Sequence, residues 1–174
     1  MSDDEPAAEN STPNTFEMPI YFQGELRDYQ KVGLDWLKAL YENGLNGILG
    51  DEMGLGKTIQ VIALFAYMIE KQIPGPYMIV VPLSTLANWI SEFERFAPKL
   101  PITVFYGNKK DRVAIKDEVL KKRKVSPTFS TFPIVIMTYE MPINEPKFLS
   151  QFSWRYIVID EAQRIKNFQT QLFR

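Results

Sequence analysis

The chain has 174 residues, 45% hydrophobic and 13% aromatic, with a formal net charge of −1, a balance suited to one globular domain with its own core. It contains no cysteine and no histidine, which excludes disulfides, thiol catalysis, histidine-based triads and most zinc sites. No apolar run reaches the roughly 18–20 residues of a membrane-spanning helix, and nothing at the start reads as a secretory signal.

Residues 1–19 are polar and proline-containing and carry Asp3, Asp4, Glu5, Glu9 and Glu17, so they read as a disordered acidic leader. The remainder, 20–174, holds 16 acidic against 20 basic residues and is mildly basic, which suits an anionic partner. From Leu26 the apolar positions Leu26, Tyr29, Gly33, Trp36, Leu37 and Leu40 recur at helical spacing, and Asn43-Gly44 stops the helix. "GILG" at 47–50 reads as a short strand, and 57–71 as a helix. "YMIVV" at 77–81 reads as a buried strand introduced by the turn Pro74-Gly75-Pro76. Ser84 is expected to cap a helix carrying Leu86, Trp89, Ile90, Phe93 and Phe96, with the two phenylalanines and Trp89 as core.

Further along, "ITVFY" at 102–106 reads as a strand and 109–123 as a helix. "IVIMT" at 134–138 and "YIVI" at 156–159 read as strands, and Pro142 and Pro146 are expected to interrupt any helix between them. Apolar runs alternating with amphipathic stretches imply a parallel sheet covered by helices on both faces. The expected fold class is α/β. The run from Lys109 to Lys124 holds eight basic residues and is either a solvated helix with cations at its C-terminus or an anion-contacting or import segment through "KKRK".

The stretch "GILGDEMGLGKTIQVIAL" misses the phosphate-loop pattern G-x-x-x-x-G-K-[ST] at one position, where Asp51 replaces the first glycine. It nevertheless joins an expected strand to an apolar-faced helix, the geometry in which backbone N–H groups and the helix dipole converge on phosphate. Gly54 and Gly56 admit close backbone approach, Lys57 would reach the terminal phosphates, and Thr58 would hold magnesium through its hydroxyl. A magnesium site wants a second anchor at a neighbouring strand end, and Asp160 after "YIVI" supplies it, followed by Glu161 as a water-orienting carboxylate. Both halves of a magnesium–nucleotide site are therefore present.

Together "DEMGLGKT", "VVPLSTLANWISEFERFAP" and "DEAQRIKN" resemble the Swi/Snf-type chromatin-remodelling ATPases of helicase superfamily two, with wording that leans toward the lymphoid-specific-helicase branch. In that family the loop itself begins with Asp, so Asp51 marks a variant and not a broken motif. The resemblance implies a RecA-like phosphate-loop lobe with ATP and magnesium as cofactors. The nucleotide would be bound by Asp51, Glu52, Met53, Gly54, Leu55, Gly56, Lys57 and Thr58, and catalysis would rest on Lys57, Asp160 and Glu161. Gln30 in "LRDYQ" would read the adenine edge, or is simply a surface glutamine. Ser84, Thr85 and Thr138 would contact the backbone of duplex DNA or nucleosomes, and Ser84 serves equally as a helix cap. Nuclear localisation and duplex-DNA translocation follow from the same resemblance, and no membrane partner is expected. Gln163 stands where relatives usually carry histidine. The family continues beyond the Asp-Glu box into a second lobe not contained in these 174 residues. The expectation is therefore nucleotide binding with hydrolysis near background, and the alternative reading is a binding module without turnover.

Overall fold

The structure, a computed structural model, describes residues 15–50 and 56–162. A helix α1 (Asp28–Glu42) is followed by α2 (Lys57–Glu70), β1 (Tyr77–Val81), α3 (Leu83–Phe96), β2 (Ile102–Phe105) and α4 (Lys109–Val119). Then come β3 (Arg123–Ser126), β4 (Phe129–Thr131), β5 (Ile134–Thr138), α5 (Glu140–Asn144), α6 (Pro146–Leu149) and β6 (Tyr156–Ile159). Four strands form one all-parallel sheet in the order β2-β5-β1-β6, and β3 and β4 form a separate antiparallel hairpin.

The alternation of the pleat divides the core in two. Tyr77, Ile79, Val81, Ile134 and Ile136 face a cluster built with Leu34 and Leu37 of α1, Ile62 to Ala66 of α2 and Trp89 and Phe93 of α3. Met78, Val80, Val135 and Met137 face the other way, onto Phe105, Val119 of α4 and Phe148 and Leu149 of α6. Both faces of β1 and β5 are thus buried along their whole length, as expected for a parallel sheet.

Four expectations need correction. The segment 47–50 is not a strand: Ile48 is 88% exposed, and the backbone of Gly47 lies so close to Leu40 and Trp36 of α1 that a Cβ would clash. Two apolar residues between two glycines carry too little β propensity to form a strand without a partner. The helix after β1 begins at Leu83 with Pro82 as its N-cap residue, not Ser84, and the Thr85 hydroxyl donates to the Pro82 carbonyl at 3.1 Å. The helix of the basic run ends at Val119, and Arg123 opens the hairpin, whose turn is Pro127-Thr128. In α1 the buried stripe is Gln30, Leu34 and Leu37, while Tyr29 and Trp36 lie on the exposed flank. Between β5 and β6 the prolines do interrupt a long helix, but two short ones form. Pro142 occupies the first turn of α5, where its missing N–H would be unpaired anyway, and Pro146 opens α6.

Candidate functional site

In a parallel sheet all strand C-termini lie along one edge, and here that edge gathers the singled-out residues of three strand ends. β1 runs into Pro82 and the start of α3, β5 ends at Thr138, and β6 ends just before Asp160 and Glu161. Phe65, midway along α2, packs on Tyr77 and Tyr156 at the starts of β1 and β6, and the short connection to β1 reverses the chain, so α2 runs back over the sheet with Lys57 and Thr58 at its far end. Both residues are half-buried. Asp51 to Leu55, and Gln163 with the basic residues that follow it, lie outside the described residues.

Gly56 precedes α2 with φ 75°, a left-handed conformation that favours glycine. Its absent side chain leaves room for Gln30: a Cβ there would sit 2.4 Å from Gln30 Nε2. That amide donates to the Gly56 carbonyl at 3.5 Å, while Gln30 Oε1 accepts the Arg27 backbone N–H at 2.8 Å. Gln30 is only 5% exposed, so it is a buried bridge between the start of α1 and the start of α2.

Asp160 is fixed from two sides. Its backbone N–H donates to the Val80 carbonyl at 2.8 Å, extending the β1–β6 ladder by one residue. The indole Nε1–H of Trp89 donates to Asp160 Oδ2 at 3.0 Å. The Tyr139 hydroxyl, next to Thr138, reaches the backbone carbonyls of Asp160 and, at 3.2 Å, of Glu161. Glu161 itself is held at φ 50°, a conformation costing a non-glycine residue about 1–3 kcal/mol and typical of places where surrounding contacts over-determine the backbone. The sequence shows Trp89 as a core residue, which it is at 2% exposure; its polar tip was the part that apolar spacing does not reveal.

Ser84 is exposed and Thr85 half-buried, whereas Thr138 is 3% exposed and its hydroxyl has no hydrogen-bond partner among the described residues. Beside it Leu83, Tyr106, Tyr139 and Glu140 line a shallow cavity of about 110 Å³ at the ends of β1, β2 and β5. The basic run is divided. Lys109 and Lys110 are exposed at the start of α4, on the site's side, but Arg123 donates to Ile102 O at 2.9 Å and to Thr103 Oγ1 at 2.8 Å, at the opposite end of β2. Lys121 pairs with Glu118, and Lys122 lies over the Phe132 ring. Within "KKRK" Arg123 is thus built into the fold, whereas Lys121, Lys122 and Lys124 are exposed.

A network that the sequence did not suggest ties α4 to the α5–α6 junction. Glu145 accepts Arg112 Nε at 2.9 Å and Lys116 Nζ at 2.7 Å, and Arg112 also donates to Gly107 O. The Lys116 hydrogen bond outweighs burial and, with Arg112, holds the Glu145 carboxyl below the ordinary glutamate range.

A family model described as the SNF2-related domain matches residues 29–174. The chain belongs to this family. An ISWI chromatin-remodeling complex ATPase of Arabidopsis thaliana is 53% identical over 150 residues, covering 86% of this chain and 13% of that protein. The human lymphoid-specific helicase is 42% identical over 166 residues, covering 95% and 20% respectively. Both branches are thus among the relatives, and the ISWI sequence carries the higher identity. The Sulfolobus solfataricus SWI2/SNF2 ATPase core, solved in complex with dsDNA, superposes with a TM-score of 0.74 at 35% identity over 91% of this chain and 31% of its own. The chain thus spans between an eighth and a fifth of the length of these two curated relatives, and its architecture is that of one RecA-like lobe of an SNF2 ATPase core.

Proposed function

We propose that this SNF2-related chain is the magnesium–ATP-binding lobe of a DNA-dependent ATPase that moves along duplex DNA to remodel chromatin in the nucleus. The observation that carries the nucleotide half is Asp160: its carboxylate is fixed by Trp89 at the strand-end edge toward which α2 runs back to Lys57 and Thr58. The donor set suits the group chemically. A lysine ammonium and helix N–H groups match phosphate oxygens, and a hydroxyl with one carboxylate suits a magnesium ion that keeps water and phosphate as its other ligands.

In this reading the loop Asp51, Glu52, Met53, Gly54, Leu55 and Gly56 wraps the phosphates, Lys57 contacts the terminal ones, and Thr58 and Asp160 hold magnesium. When bound, magnesium neutralises phosphate charge and orients the transferred group. Glu161 orients the attacking water. Gln30, bridging to Gly56, supports the loop and faces the adenine side. The duplex reading is supported by the exposed Ser84 in the first turn of α3 and by the solved relative in complex with dsDNA; Thr138, at 3% exposure, contributes through its backbone neighbours and not through its hydroxyl. Phosphate contacts of this kind position the protein without reading sequence.

Calorimetric titration of magnesium–ATP into the wild type and Lys57→Ala tests the reading. Removing a charge-assisted phosphate contact should weaken binding by about tenfold or more. Equal affinities would sink it.

A further inference from the structure

We propose that Trp89 and Tyr139 are positioning residues that couple the duplex-facing turns to the Asp160–Glu161 pair. The inference rests on the functional reading above and deepens it by naming the parts that connect its two sites. Two elements are involved, and they are built alike. α3 carries Ser84 and Thr85 in its first turn and, roughly one turn later, sends the Trp89 indole to Asp160 Oδ2 at 3.0 Å. β5 ends at Thr138, and the next residue, Tyr139, sends its hydroxyl to the carbonyls of Asp160 and Glu161.

Both side chains are held in packed surroundings. Trp89 is 2% exposed and lies beside Phe93, and Tyr139 is 7% exposed. Each polar tip emerges from packed core at the same point, where the chain turns through the left-handed Glu161. The carboxylate oxygen that Trp89 holds belongs to the group assigned to magnesium, and the carbonyls that Tyr139 holds fix the backbone carrying both acidic side chains. A shift of α3 or of the Thr138–Glu140 segment on contacting a duplex must therefore move the acidic pair or break these bonds. Coupling of this form requires each ligand to bias the same packed element, and the two hydrogen-bonded links supply it. Trp89 and Tyr139 touch neither nucleotide nor DNA in this reading; they act through Asp160 and Glu161.

The test uses the 174-residue chain. Magnesium–ADP affinity is measured by calorimetry with and without a saturating mixed-sequence DNA duplex, for the wild type, Trp89→Phe and Tyr139→Phe, and duplex binding itself by anisotropy. In the wild type the duplex should change magnesium–ADP affinity by about fivefold or more. In each variant that factor should fall below about twofold, while affinity for each ligand alone changes less. In parallel, the three indole N–H resonances of the unmodified protein are followed by NMR. The Trp89 signal, identified by its loss in Trp89→Phe, should move on adding magnesium–ADP and again on adding duplex to the nucleotide-free chain. Trp154, whose indole donates to Leu149 O, should stay in place. Tyr139→Phe removes a single oxygen, and the NMR readout needs no variant, so a misfolded Trp89→Phe leaves the test intact. If both ligands bind but the wild-type factor is one, or the variants keep it, or the Trp89 signal is unmoved, the coupling is overturned and the functional reading stands. If the wild type binds neither ligand, the functional reading falls and takes this inference with it.

Discussion

Gly56 and Gln30 illustrate how one missing carbon organises the start of α2. At φ 75° any L-residue carries a penalty of roughly 1–2 kcal/mol. A Cβ would in addition press on Gln30 Nε2, a side chain with only 5% exposure and its Oε1 already bonded to Arg27. Gly56→Ala should therefore destabilise the protein by more than the backbone term alone, about 2–4 kcal/mol in total once overpacking is included. The two contributions can be separated. In a Gln30→Ala background the clash is gone, so Gly56→Ala should cost only the backbone part. A double-mutant cycle by chemical denaturation would then show non-additivity of about 1 kcal/mol or more. Strictly additive losses would mean that Gln30 swings aside freely and does not bridge the two helices.

At the scale of elements, the Glu145 network decides how α4 is held against the α5–α6 junction. Its carboxyl lies below the ordinary glutamate range, through Lys116 first and Arg112 with it, so its contribution to stability is complete above the unfolded-state value of about 4.3. That contribution is lost as pH falls through the lower folded-state value. Glu145→Gln should thus lower the melting temperature at pH 7, through loss of a largely buried charge-assisted pair worth about 1.5–3 kcal/mol. The gap between wild type and variant should narrow toward pH 3, and thermal melts across that range would show it; a gap independent of pH would contradict the assignment. This network was invisible in the sequence because Arg112 and Glu145 are 33 residues apart and nothing local marks either one. By contrast β1, β5 and β6 were legible as apolar runs of four or five residues; such a run predicts cover on both faces, which β1 and β5 have, whereas Ile157 and Ile159 of β6 stay partly exposed. The ends of elements were less so. Leu83 rather than Ser84 begins α3 because Pro82 already supplies the extended conformation of an N-cap, and the β3–β4 hairpin was hidden inside a basic run whose lysines read equally well as helix. The apolar runs beside them place Lys57 at a helix start and Asp160 at a strand end, while the groups that hold Asp160 were hidden, since an indole and a phenol in apolar runs read as core.

For the molecule as a whole, the weak point is the outer edge of the sheet. In the order β2-β5-β1-β6, β6 has β1 on one side and no strand on the other among the described residues. Its burial also differs from that of β1 and β5. Tyr156 and Val158 pack on the face shared with α1 and α2, but Ile157 and Ile159 remain 49% and 38% exposed on the opposite face. Ile48 lies open elsewhere in the domain. Among the described residues β6 thus presents a strand edge flanked by exposed β-branched side chains, a template for pairing with another chain, and no lysine, proline or bulge in β6 blunts it. The net charge of −1 offers little repulsion against association. The 174-residue chain on its own should therefore self-associate, its weight-average mass in sedimentation velocity rising with concentration across about 1–100 μM, the range in which exposed edges drive aggregation. Ile157→Lys places a charge on the open face without touching Asp160 or its partners, and it should restore a monomer while leaving magnesium–ATP affinity unchanged. A wild type that stays monomeric at the highest concentration, or an Ile157→Lys variant that associates equally, would show that this edge is covered by the chain itself.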